Sequence, residues 1–200
     1  HIDNVLNGVD SAVAYIDDMI IGSASRETHE ADLRLIFKLL NDNNLQINLN
    51  KCEFFRDEVQ FLGHFLSQAG IRPILSRIET IRNFPQPETV TKLRSFLGII
   101  NYCHRFIKGA SSILAPLSAL SQGPKKSQVK WNPDAIRAFQ QAKDALLSIQ
   151  TLSYPRAHLP LVLTTDASDV ALGAVLHQQE GSVARSLEFF SKKLSGSETR

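Results

Sequence analysis

Cysteine is scarce in these 200 residues: Cys52 and Cys103 stand far apart and outside any Cys-x-x-Cys spacing. That pattern argues against a zinc site and against a disulfide scaffold, and it fits a reduced, intracellular compartment. Long hydrophobic runs are missing as well. None approaches the roughly 18 residues needed to cross a bilayer, and the N-terminus lacks the charged and apolar regions of a secretory signal, so no membrane partner is expected. Charge of one sign is absent too, because 22 Lys and Arg against 20 Asp and Glu leave a formal +2. A balance that mild does not announce nucleic-acid binding, and the basic pairs Lys125-Lys126 and Lys192-Lys193 read as ordinary solvated surface. There is no internal repeat or low-complexity tract. The single methionine is Met19, the chain begins at His1, and residues 195–200 stop without a finished element. The expectation is a window cut from a longer polypeptide. What is present is ordinary globular composition, 43% apolar and 21% charged, enough for one large domain or two small ones.

Against this background the informative residues are Tyr15-Ile16-Asp17-Asp18, two adjacent carboxylates between apolar segments 11–16 and 19–22. The flanking pattern predicts a hairpin with both acids at its tip. Clustered carboxylates can hold two divalent cations roughly 3.5–4 Å apart, the arrangement that activates an attacking oxygen and stabilises a leaving one in phosphoryl transfer. Asp is also a common hairpin-turn residue, so the pair alone does not decide the matter.

Further along, Arg26 to Leu40 carries Leu33, Ile36, Phe37 and Leu40 at helical spacing, and Asn41-Asp42-Asn43-Asn44 ends the pattern. Leu45, Ile47 and Leu49 alternate with polar residues as a half-buried strand does, and residues 59–67 predict a strand or hairpin around Gly63. Residues 1 to about 70 are thus mixed α+β with largely antiparallel pairing. Beyond Pro73, the prolines at 85 and 87 punctuate the chain, and Thr91 is expected to cap a helix with Leu93, Phe96, Leu97 and Ile100 on its apolar face. A shorter helix is expected over 113–120 and an exposed linker over 121–130. Asn132-Pro133 opens another helix, 133–148, with Ile136, Phe139, Ala142 and Leu146 inward. Strands are predicted at 161–165, 171–177 and 186–190, with Asp166 at the end of the first.

As a series, YIDD at 15–18, NLNKCEF at 48–54, FLGH at 61–64, LRSFLGIINYCHRFI at 93–107, APLSAL at 115–120 and TDASDVALGAVL at 165–176 resemble the pol polyprotein of gypsy-class LTR retrotransposons. The likeness runs from the middle of the reverse transcriptase into the ribonuclease H domain and covers essentially the whole chain. It implies an α+β fold: a partial right-hand polymerase palm (1–72), helical thumb and connecting segments (73–128), and the start of an RNase H-like α/β domain (129–200).

The resemblance also implies roles for individual residues. Asp17 would bridge two Mg2+ ions with a third carboxylate from an earlier strand, Asp18 would assist, and Tyr15 would pack behind the turn, with Ile16 completing the polymerase motif. Phe61, Leu62, Gly63 and His64 fall at the family's primer grip, where Gly63 permits close backbone approach; a bulge glycine between core residues is the alternative. His64 lacks a second ligand at metal spacing. Lys92, Arg94, Arg105 and Lys108 lie on the thumb as contacts to the phosphate backbone, or as solubilising charge, while Tyr102 and Phe106 read as core. Asp166 matches the first RNase H carboxylate, and Asp169 is expected to stabilise the turn. A similar block in related retroviral enzymes belongs to a degenerate connection domain, and the Ala-Ser after Asp166 favours the active version. Glu198 is not assigned.

The implied activity is RNA-directed DNA polymerase with RNase H, using an RNA template, a DNA primer, dNTPs and the RNA:DNA hybrid. Each site would take two Mg2+ ions, with Mn2+ also compatible with oxygen ligands. Localisation would be cytoplasmic, in virus-like particles, and also nuclear. Each site here retains part of its metal cage, so the 200 residues alone are expected to be inactive. The competing reading is a catalytically dead nucleic-acid-binding relic of a decayed element.

Overall fold

A hairpin laid on one helix organises the first of two units, residues 1–62, in the computed structural model, which describes residues 2–195 and Glu198. Residues 196, 197, 199 and 200, on which the expectation of an unfinished last element partly falls, lie outside the described residues. A short helix α1 (Ile2–Val5) precedes strands β1 (Ala12–Tyr15) and β2 (Asp18–Ile21), which pair antiparallel from Ala12↔Ile21 to Tyr15↔Asp18. Alternation along the pair turns Ala12, Ala14, Met19 and Ile21 toward helix α2 (Arg26–Asp42), where they meet buried Ile36 and Leu40. The helix begins where Ser25 forms a reciprocal capping box: its hydroxyl accepts from the Thr28 amide at 3.2 Å while Thr28 Oγ1 accepts from the Ser25 amide at 3.0 Å. It ends in the Asn-rich cluster as expected. Phe37 stays at the margin instead of the core, edge-on to Phe54 at 6.1 Å.

The strand expected over 45–49 does not form. Asn48 uses its side-chain oxygen to accept from the Asn50 amide at 3.1 Å, starting a 3-10 turn, Leu49–Lys51, and Leu49 is 65% exposed. A local side-chain bond to the backbone here outcompetes a ladder. Strand β3 (Glu58–Phe61) follows.

The second unit, residues 63–200, starts with the antiparallel hairpin β4 (His64–Ser67) and β5 (Gly70–Pro73). Helix α3 (Leu75–Arg82), which the periodicity did not announce, fills the interval between Pro73 and Pro85. Helix α4 (Val90–Tyr102) is capped by Thr89, whose hydroxyl accepts from the Lys92 amide, and not by Thr91. After a 3-10 turn, His104–Phe106, come α5 (Ala110–Leu120) and α6 (Pro133–Leu147), the latter capped by Asn132 accepting from the Ala135 amide at 2.8 Å.

One core joins the three long helices: Leu93, Phe96 and Ile100 meet Leu114 and Leu117 of α5 and Phe139, Ala142 and Leu146 of α6. The Phe96 and Phe139 rings are 4.6 Å apart. Ile136, expected inward, is 49% exposed, because the buried stripe of α6 runs through Ala135, Ala138, Phe139, Ala142 and Leu146.

The last element is a three-stranded antiparallel meander of β6 (Leu161–Ala167), β7 (Ala171–Glu180) and β8 (Val183–Lys193), with a bulge between Leu176 and His177. These strands are longer than the apolar runs predicted, because ladder pairing extends through their polar ends. Strand β8 packs on α5 and the 3-10 turn: Ser191 Oγ accepts from the Ser111 amide at 2.8 Å, and His104 Nε2 lies 3.3 Å from both serine hydroxyls. Strand β6 is exposed along its length. No helix among the described residues is long and apolar enough to cross a membrane.

Candidate functional site

The β1–β2 hairpin closes through a two-residue turn, Ile16-Asp17, between the paired Tyr15 and Asp18. Ile16 has φ 57°, and Asp17 is not in the left-handed region, the pattern of a type II′ turn whose first central position normally goes to glycine. A β-branched residue there costs on the order of 1–3 kcal/mol of local strain. The turn projects from the sheet that α2 supports, with Ile16 74% exposed and both carboxylates open to solvent. The expectation of two acids at the tip is refined: Asp17 is in the turn, and Asp18 is the first residue of β2. Tyr15 does not pack behind the turn. It lies on the face away from α2 and is 54% exposed, and its neighbour on that face, Val13, is 59% exposed.

At the second sequence motif, Leu62 (φ 48°) and Gly63 (φ 79°) both take left-handed backbone, the signature of a tight type I′ turn between Phe61 and His64. Gly63 is therefore required by turn geometry. The imidazole of His64 stacks on Tyr102 at 5.2 Å and 17° and lies 5.5 Å from Phe106, which is buried. Its position is that of a packed aromatic at the C-terminal end of α4.

Of the four basic residues expected on the helices, three have partners within the protein. Lys92 Nζ pairs with Glu88 at 3.1 Å, an exposed i,i+4 pair. Arg94 donates from Nε and Nη2 to the Ser121 carbonyl at 3.0 and 2.8 Å, and from Nη2 to the Gly123 carbonyl at 2.9 Å. Arg105 Nε lies 3.7 Å from Glu188 of β8, and its guanidinium sits over Phe106. Lys108 is exposed, next to Gly109, which enters α5 with φ 66°.

Asp166 is the sixth residue of β6, opposite Gly173, and is exposed. The turn beyond it is held by Ser168 rather than Asp169: the Ser168 hydroxyl accepts from the Val170 and Ala171 amides at 3.4 and 3.2 Å. Glu198 is engaged by Lys192 Nζ at 2.7 Å and by the Ser195 amide and hydroxyl at 2.8 Å, contacts that lower its carboxyl to about 2. Among the described residues no three His, Cys, Asp or Glu side chains gather into a metal-binding group. Asp17 and Asp18 are thus a pair, and Asp166 is a single acid on its strand.

Residues 1–66 match the family model for reverse transcriptase (RNA-dependent DNA polymerase), and residues 131–200 match the RNase H-like domain found in reverse transcriptase. The retrovirus-related Pol polyprotein from transposon opus of Drosophila melanogaster is 34% identical over 193 residues, 92% of this chain and 19% of that protein. The chain belongs to the retrotransposon Pol polyproteins, across their reverse transcriptase and RNase H-like domains. The Transposon Tf2-3 polyprotein of Schizosaccharomyces pombe is 36% identical over 84% of this chain and 12% of its own length. The chain therefore spans less than a fifth of these relatives. Its fold is that of the foamy viral protease-reverse transcriptase solved with RNA/DNA hybrid: TM-score 0.85 at 24% identity, over all of this chain and 27% of that one. The same protein solved with double-stranded DNA superposes with TM-score 0.85, also at 24% identity and over 41% of that chain.

Proposed function

We propose that this chain is a working part of a gypsy-class RNA-directed DNA polymerase with RNase H, and that Asp17 and Asp18 supply part of its polymerase metal site. The observation that carries this reading is the strained Ile16-Asp17 turn, which holds two adjacent carboxylates out to solvent inside the segment that matches reverse transcriptase. A non-glycine residue in left-handed backbone at a tip bearing acids is the kind of local cost that functional sites carry.

Carboxylate oxygens are hard donors that suit Mg2+ and equally Mn2+, so the donor chemistry fits a divalent cation. Two adjacent acids make a partial set, which a third carboxylate would complete. Bound there, two divalent ions would supply charge stabilisation at the transferring phosphoryl group. The protein's own contribution is a rigid turn that fixes the two acids side by side, backed by the apolar contact of β1 and β2 with α2. Asp166 would play the corresponding part in hydrolysis of the RNA strand of an RNA:DNA hybrid, at the end of β6.

In this reading residues 1–72 are palm, 73–128 thumb and connection, and 129–200 RNase H-like. Phe61 to His64 form a primer-grip turn, and Lys92, Arg105 and Lys108 face the duplex backbone. Substrates are RNA template, DNA primer and dNTPs, handled in cytoplasmic particles and in the nucleus. In a Pol polyprotein carrying this segment, Asp166→Asn should abolish cleavage of hybrid RNA while RNA-templated primer extension continues. Hybrid cleavage that survives the substitution would remove Asp166 from the nuclease site.

A further inference from the structure

Loop 121–130 reads in sequence as an exposed linker, yet it is bound along its length to the start of α4. The Thr91 amide and hydroxyl both donate to the Lys125 carbonyl, at 3.1 and 2.6 Å, and the Val90 amide donates to the Ser127 carbonyl at 3.0 Å. Thr89 bridges Gln128 antiparallel, and the Val129 amide donates to the Glu88 carbonyl at 2.9 Å. Residues 88–91 and 125–129 thus run side by side. Arg94 fastens the other end of the loop through the Ser121 and Gly123 carbonyls. Ser127 closes it internally, donating from its amide and hydroxyl to the Pro124 carbonyl at 3.0 and 2.7 Å.

This clamp carries exposed lysines at 125, 126 and 130, beside Lys92 of α4. The neighbouring carboxylate, Glu88, is taken by Lys92, and among the described residues Lys125, Lys126 and Lys130 make no ion pair. A solubilising loop needs no such anchoring. Fixing the backbone beneath two adjacent ammonium groups lowers the entropy lost when they meet a regular array of anions. Lysine suits a phosphate backbone as a mobile point charge that reads no base.

We propose that loop 121–130 is a preformed phosphate-contact element: Lys125 and Lys126 meet the backbone of a nucleic-acid duplex, and Arg94 is a positioning residue that holds the loop. This rests on the reading that the chain handles a template–primer duplex. It also gives Arg94 a different task from direct phosphate contact, since its Nε and Nη2 donors are already committed to carbonyls.

The test is equilibrium binding of the full chain to a mixed-sequence double-stranded DNA as salt is varied. Each lost phosphate contact lowers the slope of log K against log salt by about 0.9, so Lys125→Ala/Lys126→Ala should lower it by about 1.8. The ratio of parent to variant affinity then changes about tenfold between about 50 and about 200 mM salt. Both side chains are exposed, so the variant's urea midpoint should match the parent's. Arg94→Ala should weaken binding at every salt concentration while keeping the slope; loss of about 0.9 in slope would instead put its guanidinium on a phosphate and overturn the positioning role. Duplex binding with an unchanged slope in the double variant overturns the inference alone. Failure of the parent chain to bind duplex overturns both the inference and the functional reading beneath it.

Discussion

Gly70 and Gly98 should respond in opposite directions to the same added methyl group. Gly70 closes the β4–β5 hairpin with φ 131°, and a Cβ there would be driven against the Leu152 carbonyl, with Thr151 Cγ2 only 3.0 Å away. That carbonyl is one half of a two-bond bridge: the Ile71 amide donates to Leu152 O at 2.8 Å, and the Leu152 amide donates to Ile71 O at 2.9 Å. Gly70→Ala therefore adds backbone strain of about 1–3 kcal/mol and forces apart two hydrogen bonds worth about 0.5–1.5 kcal/mol each. The expected loss is about 2–6 kcal/mol, a large share of the roughly 5–15 kcal/mol that holds a domain folded. At Gly98, inside α4, a Cβ would meet nothing within 4 Å, so Gly98→Ala should gain about 0.8–1 kcal/mol from helix propensity. The assay is urea unfolding followed by fluorescence of Trp131, the single tryptophan, whose indole donates to the Pro87 carbonyl at 2.8 Å within the second unit. The midpoint should fall by about 1 M or more for Gly70→Ala and rise slightly for Gly98→Ala. Shifts of the same sign and size would refute the steric reasoning.

Gln178 is 2% exposed; its Oε1 accepts from the Arg156 amide at 2.8 Å, and its Nε2 donates to the Arg156 and Leu159 carbonyls at 2.9 and 2.7 Å. Gln178→Leu leaves those groups unmatched and should cost about 1–3 kcal/mol by the same urea assay; an unchanged midpoint would mean the loop finds other partners. Burial lowers the His104 imidazole below its usual 6.5, so the native state favours the neutral ring among Ser111, Ser191, Arg105 and Glu188. The unfolded chain takes up that proton first, so this contribution is complete above about pH 6.5 and declines as pH falls through that value until the native ring itself protonates. His104→Gln should flatten the dependence of the urea midpoint on pH over that range, and an unaltered dependence would assign it to other groups.

Periodic apolar spacing made α2, α4, α5 and α6 legible, because each buries one continuous stripe, and ladder pairing then extended three recognisable apolar runs into β6, β7 and β8. Residues 45–49 misled because alternation shows that a strand would be amphipathic, not that it has a neighbour; Asn48 had a local bond to make instead. Helix α3 was hidden by its flanking prolines and carries no side-chain cap to announce it. The choice of Thr89 over Thr91 as the α4 cap turned on the loop 34 residues downstream, which takes the Thr91 hydroxyl. The acid pair was legible as a turn, but the positive φ of Ile16 was not, since nothing in its residue type calls for it. The roles of Arg94 and Ser168 are likewise tertiary facts: one guanidinium and one hydroxyl meet backbone groups that only the folded chain brings near.

The decisive measurement is Mg2+-dependent, RNA-templated primer extension by a Pol polyprotein carrying this segment, compared with its Asp17→Asn variant. Loss of extension in the variant, with duplex binding intact, is the predicted result, because the substitution removes charge at the exposed turn while leaving the α2-backed hairpin in place. Extension at the unsubstituted rate would contradict it and reduce the Asp17-Asp18 pair to an ordinary hairpin turn.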